Sequence, residues 1–248
     1  LADPSTHGTA VELLSAQLAG CDVVVNCAGN PDASAAREGD LRAANAVLPG
    51  VIGQAAQQAA VARYVHVSSA VVQGRLPVLD SSTHTDAFSP YARSKADGEI
   101  AARTNGPPHT TVYRPPSVHG PTRRVTRQLT FIARSPLSTV AFPGDRPTPQ
   151  THIVDVADAI LTLATSTTPP PAVVHHPWQG QTTSGLLRLL GHGRSPRNLP
   201  LGFAELALAA GDRVSRLVPR LGPYLRRVEM IWFGQRQASS WLSQTGWR

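Results

Sequence analysis

The chain has 248 residues, with 23 Lys+Arg against 16 Asp+Glu for a formal net charge of +7, and 41% of it is apolar. That is the composition of a globular chain able to bury a sizeable core, and it excludes disorder, collagen-like repeats and disulfide-stapled miniproteins. No apolar run reaches the ~18 residues of a membrane span, and no charged start leads into an apolar stretch, so a cytoplasmic protein without a signal peptide is expected.

Cys21 and Cys27 are separated by five residues, a spacing that suits neither a zinc knuckle nor a redox pair, so buried free thiols and no metal site are expected. Lys95 is the single lysine among the 23 basic residues. The arginines are scattered through the second half and aromatics make up only 5%, a pattern that does not indicate nucleic-acid binding.

In chain order, Asp3-Pro4-Ser5 followed by Ala10, Val11, Leu13, Leu14 and Leu18 predicts a capped amphipathic helix closed by Gly20. Asp22-Val23-Val24-Val25-Asn26 predicts a buried parallel strand ending in Cys27-Ala28-Gly29. A helix from about Leu41 to Ala60 leads to the strand Arg63 to Ser69; Pro90 opens a third helix to about Thr104; His109 to Tyr113 form a third strand. Strand and helix alternate, which predicts an α/β fold with a parallel sheet covered on both faces. From Gly120 the pattern turns irregular, with order returning at Thr151-His152-Ile153-Val154 and a helix from Asp155 to Ala164. The tail from Leu201 to Trp241 reads as amphipathic helix, with Leu206, Val214, Leu217, Leu221 and Leu225 on one side and Arg213, Arg216, Arg220 and Arg227 on the other. That tail is expected to pack onto the second lobe rather than to lie on a membrane.

Tyr91-Ala92-Arg93-Ser94-Lys95 sets a phenol and an ammonium four residues apart on one helical face. A nearby cation favours phenolate, which lets tyrosine give and take a proton near neutrality. Val65 to Ser69 end a strand 22 residues earlier, and strand C-termini are where α/β sheets bind ligands. Ser69 there can hold a hydroxyl or carbonyl oxygen.

With these residues the chain resembles the extended short-chain dehydrogenase/reductases, the NAD-dependent epimerase/dehydratase family. The resemblance rests on Asn26-Cys27-Ala28-Gly29, Asn45, Ser69, Tyr91-x-x-x-Lys95, Arg114-Pro115-Pro116-Ser117-Val118-His119-Gly120-Pro121 and Thr151 to Ala159, in order and at similar spacing. It implies NAD or NADP as cofactor, Tyr91 as general acid/base, Lys95 binding the nicotinamide ribose and lowering the Tyr91 pKa, and Ser69 orienting the reacting oxygen. Cys27, Ala28, Gly29, Asn45, Pro115 and Val118 would meet the cofactor and Ser117 the substrate. His152 and Asp155 read as a strand end and a helix cap. It also implies a dinucleotide-binding part over residues 1–122, rejoined by 151–166, and a substrate lobe over 123–150 and 167–248.

Departures shape the expectation further. No strand, glycine-rich turn and pyrophosphate-binding helix precede Asp22, so the fold is expected to be a partial Rossmann-like sheet lacking strands one to three, with an open apolar edge prone to association. Ala70 and Val71 stand where family dehydratases carry an acidic pair, which disfavours dehydration; Gln73 and His119 stand where the family often has tyrosine. Arg123, Arg124, Arg127 and Arg134 open the second lobe, where they read either as a cradle for the pyrophosphate of a nucleotide-sugar or as a solvated basic loop. The expected activity is oxidation, reduction or epimerisation at a carbinol or keto carbon of a nucleotide-sugar. A hydroxysteroid-like or other lipophilic alcohol dehydrogenase, and a non-catalytic remnant or binding subunit, are the alternatives.

Overall fold

The computed structural model describes residues 4–31, 37–218 and 221–247; Asp3 and Arg220 lie outside them. The first half alternates as its apolar pattern predicts: α1 (Pro4–Leu18), β1 (Val23–Asn26), α2 (Glu38–Arg42), a π-helical turn (Ala43–Val47), α3 (Leu48–Gln58) and β2 (Arg63–Val67). There follow a 3-10 turn (Ala70–Gln73), β3 (Val78–Leu79), α4 (Pro90–Asn105) and β4 (Thr110–Arg114). The second half contains β5 (Ser117–His119), α5 (Arg124–Arg134), β6 (Thr139–Ala141), β7 (Gln150–His152), α6 (Ile153–Thr165), β8 (Val173–His175) and α7 (Thr183–Leu190). It closes with β9 (Arg197–Leu199), α8 (Leu201–Leu217), α9 (Gly222–Phe233), β10 (Arg236–Gln237) and α10 (Trp241–Gln244).

The main sheet is parallel, in the order β1-β2-β4-β8, with Asn26 opposite His66 and Val67 opposite Tyr113. Every residue of β4 is buried, as expected of a strand with a neighbour on each side and helices on each face. One face carries Val65, Tyr113 and Val174 against Val156, Ala159 and Leu163 of α6 and Leu242 of α10. The other face is covered by α3 and α4, with α1 packed on α3 through Val11, Val51 and Ala55. Among the described residues β1 pairs only with β2, and its outer edge is open, with Val25 38% exposed.

Four expectations are corrected. The stretch after Gly120 is ordered: α5 forms from the helical spacing of Val125, Leu129, Ile132 and Ala133, a series diluted by arginines, and β5/β7 and β6/β9 make short parallel pairs. The tail is two helices, and the apolar side of the first faces solvent instead of the lobe. Both cysteines are exposed, because β1 is an edge strand and Cys21 precedes it. Two pieces expected in the substrate lobe belong elsewhere: β8 is a strand of the main sheet and α10 sits in its core.

Candidate active site

Because β1, β2 and β4 run parallel, their C-terminal ends open into one cleft of about 1310 Å³. Tyr91 and Lys95 reach it from the first turns of α4. That helix starts where it does because Ser89 caps it, its Oγ accepting the Ala92 amide at 3.1 Å, with Pro90 in the first turn. One helical turn apart, both side chains then face the strand ends.

Lys95 is buried, and its Nζ donates to the Val67 carbonyl at 2.9 Å. Burial pushes the ammonium pKa down to about 8, against the opposing charge of Glu99. The Tyr91 phenol is pushed up by burial, and the cation that works against this is Arg123. The expected lowering of Tyr91 by Lys95 is therefore not what this arrangement shows; the ammonium is engaged with the end of β2. Ser69 is half-buried and caps the 3-10 turn, its Oγ accepting from the Val71 amide at 3.3 Å.

Asn45, a helical asparagine of the kind usually found on surfaces, proves buried and structural for the site. The π turn aims its side chain at the loop after β1, where Oδ1 accepts the Asn30 amide at 2.8 Å and Nδ2 donates to the Asn30 carbonyl at 3.0 Å. Gly29 sits directly over it: a Cβ there would lie 2.8 Å from Asn45 Oδ1. Asn26 Oδ1 accepts the Ala28 amide at 2.9 Å and holds the loop from the other end.

Of the candidate residues, Cys27, Gly29, Asn45, Ser69, Tyr91, Lys95, Pro115, Ser117, Val118, Arg123, Arg124 and Arg127 all line the cleft. Ala28 does not, nor do Gln73 and His119, and Arg134, expected in the arginine cradle, is turned to His192 instead. Gln73 is bonded to Asp80, and His119, kept neutral by burial, shares a 2.6 Å hydrogen bond with Gln150. The small residues Ala70 and Val71 do line it. His152 ends β7 as expected and also caps α6, accepting from the Val154 amide, whereas Asp155, expected to be the cap, stands in the first turn of α6 and receives a bond from Gln179.

Two supports were not anticipated. Glu99 and Arg114 form a fully buried pair, at 2.7 Å and with 1% and 0% exposure, and Ser68 donates to the same carboxylate at 2.6 Å. The pair ties α4 to the ends of β2 and β4 and so sets where Tyr91 and Lys95 stand. Arg226 and Arg227 of α9 add two further cations to the cleft wall. Among the described lining residues there are six cations and no carboxylate.

A family model described as the NAD dependent epimerase/dehydratase family matches residues 4–174. The chain belongs to that family. Similar solved structures share its fold. They include dTDP-4-dehydrorhamnose reductase from Bacillus anthracis in complex with NADP, at TM-score 0.60 and 15% identity over 78% of this chain and 70% of that one. UDP-glucuronic acid 4-epimerase from Bacillus cereus in complex with NAD gives 0.59 and 18% over 75% and 66%. dTDP-glucose 4,6-dehydratase from Streptomyces venezuelae, with NAD and TYD bound, gives 0.57 and 23% over 77% and 64%. Comparison with curated proteins returns no match. The residues present fit the nicotinamide and ribose end of a family cofactor: a buried ammonium, a phenol and a backbone loop with little side-chain bulk converge at the strand ends. No glycine-rich turn for a pyrophosphate occurs among the described residues.

Proposed function

We propose that the chain is an NAD(P)-dependent oxidoreductase or epimerase acting at a carbinol or keto carbon of a nucleotide-sugar. The carrying observation is the convergence of Ser69, Tyr91 and Lys95 in a cleft that has six cations and no carboxylate among its described lining. Such a lining favours ligands bearing several negative charges, as a dinucleotide and a nucleotide-sugar both do. A nicotinamide bound there would supply the hydride chemistry. Tyr91 Oη moves the proton on the reacting oxygen, and its raised pKa keeps it protonated and suited to the donor half of that cycle. Ser69 Oγ orients that oxygen, Lys95 would meet the ribose, and Cys27, Gly29, Asn45, Pro115 and Val118 would frame the ring. Ser117, Arg123, Arg124 and Arg127 would hold the substrate, the arginines on its phosphates. Dehydration is disfavoured because Ala70 and Val71 bring no acid to the cleft.

A second reading, a lipophilic alcohol dehydrogenase, is favoured by one observation: the cleft lining also includes Phe88, Phe131, Ile132, Leu186 and Ile231. Substrate trials with keto-sugar nucleotides and with apolar ketones separate the two. With whichever class is turned over, Tyr91→Phe should cut kcat by about a hundredfold or more while leaving the NADH or NADPH dissociation constant unchanged. Undiminished kcat removes Tyr91 from the chemistry.

A further inference from the structure

We propose that α8, together with Val218, Leu221 and Tyr224, forms a surface that lies on an anionic lipid bilayer. The helix is attached to the molecule along one side. Ala204 is buried, a Cβ at Gly211 would come within 2.6 Å of Leu225 on α9, and Asp212 accepts from Arg75 at 2.8 and 3.0 Å. At the helical repeat these positions define the inward side. Phe203, Leu206, Ala210, Val214 and Leu217, spaced by three, four, four and three residues, come out on the opposite side. The large ones are 58%, 68%, 48% and 85% exposed. Apolar surface continues beyond the helix in Val218, Leu221 and Tyr224. Single exposed leucines are ordinary on a protein surface; a continuous stripe along a helix about 25 Å long is not.

Charge selects the occupant. Arg213 borders the stripe, and Arg216 lies on the adjoining polar flank, four residues after Asp212; both are exposed. Asp212 is turned to Arg75, and Glu205 stands on the same flank as Asp212, off the stripe. The chain as a whole carries +7, so a second copy brings like charge to this face while acidic headgroups bring the opposite. An apolar stripe bordered by Arg213, with Arg216 on the adjoining flank, is the composition of a helix in the plane of a bilayer, its apolar side chains at the acyl boundary and its guanidiniums reaching to the phosphates. No described helix is long and apolar enough to cross a membrane, so the contact is in-plane. Tyr224 belongs both to this surface and to the cleft lining, which places the cleft mouth beside the bilayer. The inference does not depend on the proposed reaction.

The test is co-sedimentation of the full chain with vesicles of phosphatidylcholine plus phosphatidylglycerol, and of phosphatidylcholine alone. Binding to the anionic vesicles, weakened by salt and small on neutral ones, is expected. Arg213→Gln with Arg216→Gln should lower the partition coefficient about thirtyfold, and Leu206→Ser with Leu217→Ser should lower it comparably. All four positions are exposed, so circular dichroism and melting should not change. A folded chain that ignores anionic vesicles, or binds them equally after both double substitutions, overturns the proposal. So does a lipid-free dimer, seen by light scattering and dissociated by Leu206→Ser with Leu217→Ser, in a chain that leaves vesicles unbound.

Discussion

At the scale of single residues, Lys95 links the electrostatics of the cleft to those of the fold. Burial lowers it from 10.5 to about 8, against the pull of Glu99, so folded and unfolded chains hold different numbers of protons between those values. Two effects of opposite sign follow. The ammonium available to an anionic ligand is lost as pH rises through about 8, so NAD(P)H affinity should fall there. The unfolded chain binds more protons across that window, so the Lys95 contribution to stability rises with pH from about 8 to 10.5. Cofactor titrations and urea midpoints at about pH 7 and about pH 9.5, each compared with Lys95→Met, should therefore move in opposite directions; parallel movement contradicts the assignment. Tyr91 differs in that burial alone dominates, with Arg123 as the opposing cation, so it remains a proton donor near neutrality.

At the scale of elements, the site is built where α4 meets the π turn. A Cβ on Gly98 would stand 1.9 Å from the Asn45 carbonyl oxygen, so the two elements pack at backbone contact. Gly98→Ala should destabilise the fold by about 1–3 kcal/mol in urea unfolding and loosen the Asn45 clamp on the loop after β1. An unchanged midpoint would mean the helices can separate without cost. This junction also marks the limit of what the sequence reveals. Tyr91, Lys95 and Ser69 are legible because helical spacing and strand ends are local patterns. β1, β2 and β4 of the main sheet are legible for the same reason, since short apolar or β-branched runs between turn residues have few other uses; β8 is not, its three residues following a Pro-rich joint that reads as the start of another lobe. Glu99 is not legible: its value comes from Arg114 and Ser68, which reach it only through the packing of α4 on β2 and β4. Asn45 is pointed to by the resemblance, but its burial is not legible, since it depends on a π turn that no local propensity marks. The helix α5 is hidden for a simpler reason, as four apolar positions among arginines look like a basic loop until the turn of the helix gathers them.

At the scale of the whole molecule, three features set what the protein can do. A parallel sheet carries a cationic cleft, free of carboxylates among its described lining residues, at its strand ends. The sheet has an open edge at β1 among the described residues, where a further strand could pair. The helix α8 shows solvent an apolar stripe bordered by Arg213. The central claim is that the cleft holds a nicotinamide cofactor through Lys95 and the loop after β1. Calorimetric titration of the 248-residue chain with NADH and NADPH, after circular dichroism has shown it folded, tests this most directly. Saturable binding of one or both, weakened by Lys95→Met and spared by Tyr91→Phe, is the expected result. A folded chain that binds neither would contradict it and would identify a non-catalytic or partner-dependent form.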